Sequence, residues 1–255
     1  MIDIEYAKEQ FEKYVSNYDI TDDKILLKKE HTYAVMDTTK YLCIHENINE
    51  EDSNIALLIA LLHDIGRFEQ LKRFHSFSDS NINHAALGVE ILFKQNKIRD
   101  FIEDEQYDDL IKQAIGMHAS YKIPVIEDKR VLLHVNLIRD SDKLDNFRVK
   151  NSASIETLFD IDENTFINQR VSKNILDDII NHRLILSSDR HNEVDMWVSY
   201  FAFIFDFNFK ASFLCLKETD YLKRNILRFD YQGGLKEDMM LVLNYCQKYI
   251  ENNCK

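Results

Sequence analysis

The stretch Ile59-Ala60-Leu61-Leu62-His63-Asp64-Ile65-Gly66-Arg67 decides how this chain is read. An uninterrupted apolar run ends in an adjacent imidazole and carboxylate, with a glycine two residues on. Placing those two polar groups at the end of an apolar helix is costly unless something pairs with them. A divalent cation would do so. On the doublet alone, a helix terminus whose aspartate caps a backbone amide is an equal reading. Working outward, Asn49 is a helix N-cap, and Ile55, Leu58, Ile59 and Leu62 form that helix's buried face. Gly66 reads as the stop at its C-terminal end.

The same 3.6-residue periodicity runs through most of the chain. Ile4, Ala7, Phe11, Tyr14, Val15 and Tyr18 form the stripe of a first helix. A second runs from about Asp22 toward His45, with His31 on the stripe of Ala34, Val35, Thr38 and Leu42. Residues 69–80 read as a loop or short helical turn, and 83–97 as the next helix, opened by His84. Further helical segments cover about 98–118 and end at His118. A loop over 119–127 holds the only proline, Pro124, and a long helix covers about 129–148. Gly233-Gly234 breaks the chain before a final helix. The expected class is all-α: a compact helical bundle in a single domain over 1–255. A metal-binding core would cover about 25–150, with C-terminal helices over about 160–255 packing on it.

Composition agrees. The 255 residues include 5 glycines and 1 proline, against roughly three times and over ten times as many in an average chain. That shortage excludes a turn-rich β-sandwich or barrel. A net charge of −12 argues against binding polymeric nucleic acid or an anionic membrane. The four cysteines show no C-x-x-C spacing. The first residues lack a signal pattern, and the longest apolar stretch, near 197–207, is too short to span a bilayer. A cytoplasmic protein is expected.

Of nine histidines, six fall within the first 118 residues. His31 precedes the His63-Asp64 doublet by one helical hairpin, and His84 and His118 follow at helix ends. Downstream, Asp140 and Asp142 compete for a role. They lie about 160° apart on a helix, and Asp142 shares the apolar face of Val135 and Ile138, so Asp142 is chosen and Asp140 points away. Asp145, one turn further, could support Asp142. His134, about 80° off that face, reads as packing, as His45 reads as surface. The acidic run 100–109 reads as a solvated face. The aromatic block 200–209 reads as core, with a nucleotide wall as the alternative.

Together, His31, the Leu-Leu-His-Asp-Ile-Gly segment over 61–66, and the Asp-Ser-Asp-Lys-Leu-Asp segment over 140–145 resemble the HD-domain superfamily of metal-dependent phosphohydrolases. Asn83-His84-Ala85-Ala86-Leu87-Gly88 and Ala114-Ile115-Gly116-Met117-His118 resemble the segments that bear extra histidines in binuclear members. The resemblance covers about 25–150. It implies that His31, His63, Asp64 and Asp142 hold one metal. His84 and His118 would help hold a second, with Asp64 bridging. The imidazole and carboxylate donors suit Mn, Fe, Ni, Co, Zn or Mg. The implied activity is hydrolysis of a phosphate ester of a small molecule, nucleotides included, by metal-activated water. Catalysis would involve Asp64 and Arg67. Arg67 is the phosphate clamp, and Lys72, Arg73 and Lys143 are further substrate-binding residues. Arg67 stands where cyclic-dinucleotide phosphodiesterases of the superfamily carry lysine, and the HASYKIP loop over 118–124 lacks their Gly-Tyr-Pro, which disfavours such substrates. Two other roles share this pattern: a di-iron oxygenase of polyols or phosphonates, and a non-catalytic metal-stabilised nucleotide sensor.

Overall fold

The computed structural model describes residues 2–254, and these contain helices and no strand. They divide into two compact units, Met1–Asp142 and Lys143–Lys255.

The first unit is built from α1 (Ile4–Val15), α2 (Asp23–His45), α3 (Glu50–Leu62), α4 (Ile65–Phe74), α5 (His84–Val89), α6 (Asp108–Met117) and the leading part of α7 (Lys129–Ser152). Side-chain caps start several of them: Asp3, Asp22, Asn49 and Asn83 each accept a backbone amide of the first turn, satisfying donors that a helix start leaves orphaned. α3 is central. Ile55, Leu58, Ile59, Ala60, Leu61 and Leu62 are all buried, so this helix is apolar nearly all round, as a helix packed on several sides must be. α1, α2 and α6 each pack on it. Phe11 of α1 meets Phe68 of α4 edge to face, with centroids 5.8 Å apart. α7 joins through polar contacts: Ser141 accepts the Thr39 hydroxyl at 2.9 Å, and His134 Nε2 lies 3.0 Å from Asp52 Oδ1.

Several boundaries differ from those expected. Gly66 does not end a helix. α3 ends at Leu62, His63 is its C-cap, and α4 begins again at Ile65. The segment from 69, read as a loop or short helical turn, is helical to Phe74 as part of α4, because Ile65, Phe68 and Leu71 carry a buried stripe of their own. The helix expected over 83–97 runs as α5 only to Val89 and continues as a single wide π-type turn over Glu90–Lys94.

Gly66 serves a different purpose. A Cβ on it would lie 2.3 Å from the carbonyl oxygen of His84 and 2.6 Å from the amide nitrogen of Gly88. The α4 and α5 backbones touch there, and only a residue without a side chain permits it. That contact sets His84 beside the His63-Asp64 turn.

The second unit holds the rest of α7 with α8 (Ile155–Phe159), α9 (Glu163–Ile167), α10 (Lys173–Ile180), α11 (Glu193–Phe201), α12 (Lys210–Thr219), α13 (Tyr221–Ile226) and α14 (Gly233–Asn253). Trp197 is fully buried against Phe159, Phe166, Phe201 and Phe229. Phe201, Ala202 and Ile204 of the aromatic block are buried. Asp195, also fully buried, is satisfied by the Ser172 amide and hydroxyl and the His191 amide. No helix among the described residues is long and apolar enough to cross a membrane.

The glycine contact gives a paired prediction. Gly66→Ala should destabilise the protein by about 1–3 kcal/mol through overpacking. Gly116→Ala, whose Cβ would find its nearest neighbour at 3.5 Å, should be neutral or stabilising by up to about 1 kcal/mol through helix propensity. Urea unfolding midpoints of the two variants check this; equal midpoints would refute the steric argument.

Candidate metal centre

His31, His63, Asp64, His84 and His118 are all buried, although they come from four places in the sequence. His31 lies on α2 and Asp142 on α7. His63-Asp64 forms the turn between α3 and α4, while His84 opens α5 and His118 caps the end of α6. Two sets of donor atoms lie close enough for an ion: His31, His63 and Asp142, and His63, Asp64 and His118.

The imidazole protons are assigned by their partners. His63 and His118 sit at helix C-termini, where backbone carbonyls lack helical partners. Nδ1 of His63 lies 2.7 Å from the Ala60 carbonyl oxygen, and Nδ1 of His118 lies 2.7 Å from that of Ile115. A carbonyl only accepts, so both Nδ1 atoms carry the proton. His84 Nδ1 lies 2.8 Å from each Asp79 carboxylate oxygen and must donate as well. Burial pushes His63 and His84 each down to about 4, so both rings are neutral at pH 7 and present a bare Nε2 lone pair.

Those lone pairs converge on acceptors. His84 Nε2 is 3.1 Å from His118 Nε2. Asp64 Oδ1 is 3.4 Å from the first and 3.8 Å from the second. His63 Nε2 is buried with no hydrogen-bond partner, 3.6 Å from Asp64 Oδ2 and 4.0 Å from Asp142 Oδ1. His31 Nε2 lies 3.1 Å from Asp142 Oδ1 and 3.7 Å from Asp64 Oδ2. His31 Nε2 hydrogen-bonds Asp142, but the Nε2 lone pairs of His63 and His84 face carboxylate oxygens; acceptors facing acceptors in a dry interior repel, and a cation among them would turn repulsion into ligation. The donor set is imidazole and carboxylate with no thiolate, which fits a borderline or hard divalent ion.

Burial alone would raise Asp64, but positive charge beside it, the Lys28 ammonium first, outweighs burial and holds the carboxyl well below its usual range. For Asp142, burial is likewise overcome, mainly by the hydrogen bond with His31. Both are carboxylates at neutral pH.

Lys28 was not singled out by the sequence reading. Its Nζ lies 2.7 Å from Asp64 Oδ2 and 5.6 Å from the centroid of the Phe77 ring. It stands three residues before His31, hence on the same face of α2, and that spacing was the available signal. Arg139 was missed as well. Nη1 of this buried side chain donates to the carbonyls of Met117 (3.1 Å), His118 (3.2 Å) and Ser120 (2.6 Å), fastening the end of α6 that carries His118.

The predicted substrate cations fall in different places. The Arg67 guanidinium is 3.6 Å from Asp64 Oδ1 through Nε. Its Nη1 is tethered to Gln70, the Phe77 carbonyl and Asp79. Lys72 lies over the Tyr18 ring, and Arg73 pairs with Glu69. Neither makes a hydrogen bond or ion pair with the histidines or aspartates of the centre. Lys143 pairs with Asp206 within the second unit. Asp145, there too, holds Arg148 through both oxygens. Asp140, expected to point away from the interior, is fully buried; α7 is enclosed on several faces at this level, with Arg139 and Ser141 buried beside it, so one apolar face does not describe its surroundings. His134 packs as expected, against Asp52.

Histidines and aspartates from five segments thus converge in one helical unit, in groups that could hold a metal ion. Residues 29–146 match the family model described as HD domain, in keeping with the resemblance drawn from the sequence. No match was found among curated proteins or among solved structures.

The depressed imidazoles give a pH prediction. An unfolded histidine titrates near 6.5, and His63 and His84 near 4 in the folded, metal-free chain. Between those values the unfolded state binds more protons, so stability is full above about pH 6.5 and falls as the pH drops toward 4. Chelator-treated protein should therefore unfold at markedly lower urea at pH 5 than at pH 7. An unchanged midpoint would contradict the buried neutral assignment.

Proposed function

We propose that this protein is a metal-dependent phosphohydrolase that cleaves a phosphate ester of a small molecule, nucleotides among them. The observation that carries the reading is the set of imidazole nitrogens around Asp64: the Nε2 atoms of His84 and His118 at 3.1 Å from each other, and the buried, unpartnered Nε2 of His63. His31, His63, Asp64 and Asp142 would hold one ion, and His84 and His118 a second, with Asp64 shared. When bound, divalent cations there would acidify a water molecule into a nucleophile and neutralise charge on a phosphoryl group.

The chain's own residues supply the rest. Nδ1–H donation to Ala60 and Ile115 keeps the Nε2 atoms of His63 and His118 aimed inward. Arg67 supports the clamp role through its geometry. With Nη1 tethered, the edge formed by Nε and Nη2 carries no hydrogen bond, and its Nε is buried close to Asp64. That edge is the one a guanidinium uses to grip two phosphate oxygens at once. Lys28, with Nζ at Asp64, adds a second cation on the other carboxylate oxygen. Lys72 and Arg73, engaged elsewhere, are the weaker members of the proposed substrate set.

The test is phosphate release from a panel of nucleotides and sugar phosphates, using chelator-treated protein to which Mn or Co is restored. His63→Ala should lose both bound metal and turnover. Arg67→Lys should keep its metal content and lose roughly 10- to 100-fold in kcat/KM, the value of a charge-assisted bidentate contact. Full turnover in His63→Ala would overturn the assignment.

A further inference from the structure

His84 differs from the other two histidines whose Nδ1 partners are described above. His63 and His118 end helices and orient themselves on carbonyls of their own last turns. His84 begins a helix. A helix start exposes N–H donors and no orphaned carbonyls, so an imidazole there must borrow an acceptor from outside the helix. It finds Asp79, five residues earlier, 2.8 Å from Nδ1 through each oxygen.

Asp79 belongs to the connection over 75–83 between α4 and α5, and it is itself held in place. Its Oδ1 accepts from Arg67 Nη1 at 3.0 Å, from Gln70 Nε2 at 3.0 Å and from the His84 amide at 3.4 Å. Gln70 is fully buried and also donates to the carbonyls of Ser78 and Ile82. Arg67 donates to that of Phe77. The connection is thus pinned along its length to two side chains of α4, and the pinning ends at the carboxylate that orients His84. No hydrogen bond or ion pair joins Asp79 to His31, His63 or Asp142.

We propose that Asp79 is the positioning residue for the second ion alone, and that the folded state of residues 75–83 and occupancy of the second position are thermodynamically coupled. This rests on the two-ion reading of the centre. A carboxylate behind a ligating histidine fixes its tautomer and raises its donor strength. Because Asp79 also holds Arg67, the same residue links assembly of the second position to placement of the guanidinium edge that would grip phosphate. Coupling is reciprocal: filling the second position should order the connection.

The experiment titrates manganese into chelator-treated full-length protein by calorimetry, with metal content measured after gel filtration. Wild type is expected to bind two ions. Asp79→Asn should keep the first affinity within about threefold and weaken the second by about 10- to 100-fold, and Asp79→Glu should recover part of the loss. A wild type that takes one ion would defeat the two-ion reading and this inference with it. Two ions bound with unchanged affinities in Asp79→Asn would leave that reading standing and overturn the role of Asp79. Hydrogen exchange on wild type needs no variant: amides over 75–83 should slow on the second equivalent of manganese and not on the first. Equal exchange at one and two equivalents would overturn the coupling.

Discussion

Asp64 is the group on which the centre depends. It is a buried carboxylate, and such a group survives in a protein interior only when positive charge or hydrogen-bond donors surround it. Here the Lys28 ammonium stands at one oxygen, and Arg67 approaches the other. Four imidazoles lie within 4 Å of one oxygen or the other. Two of those rings, His63 and His84, are neutral with Nδ1 committed to donation, so they bring lone pairs rather than protons to Asp64. A divalent ion held there would relieve the repulsion between those lone pairs and the carboxylate.

The helices explain how such a set can be assembled in a small volume. A helix end has unsatisfied carbonyls, and a histidine placed at the C-cap uses one to fix its own ring. α3 and α6 both end this way, at His63 and His118. Local backbone thus orients two of the rings without any help from tertiary structure. The α4–α5 contact at Gly66 then brings in a third ring, and Arg139 holds the α6 end from across the unit.

Much of this was legible in the sequence. The helical class followed from periodicity and the shortage of glycine and proline. His31, His63, Asp64, His84, His118 and Asp142 stood out because polar residues at apolar positions or helix ends need a reason to be there. What was not legible depended on contacts between segments distant in sequence. Gly66 looked like a helix stop because a glycine after an apolar run commonly is one; its close approach to the α5 backbone exists only once α4 and α5 are packed. Asp79 sat in a polar loop and Lys28 on a charged helix start, settings in which most such residues are solvated. Asp140 was misjudged because face arithmetic assumes a single buried side, whereas α7 is enclosed on more than one.

The backbone contact at Gly66 also bears on how the site could tolerate change. Where two helices meet through side chains, their spacing drifts as core residues are exchanged for larger or smaller ones. Between Gly66 and the His84–Gly88 turn there is almost no side chain to exchange. The separation between Asp64 and His84 is therefore set by main-chain atoms, like a gauge block between two machined parts. Substitutions among the leucines and isoleucines of the first unit can alter its stability while the ligand spacing stays the same. The chemistry of the centre is in this respect insulated from the composition of the core that supports it.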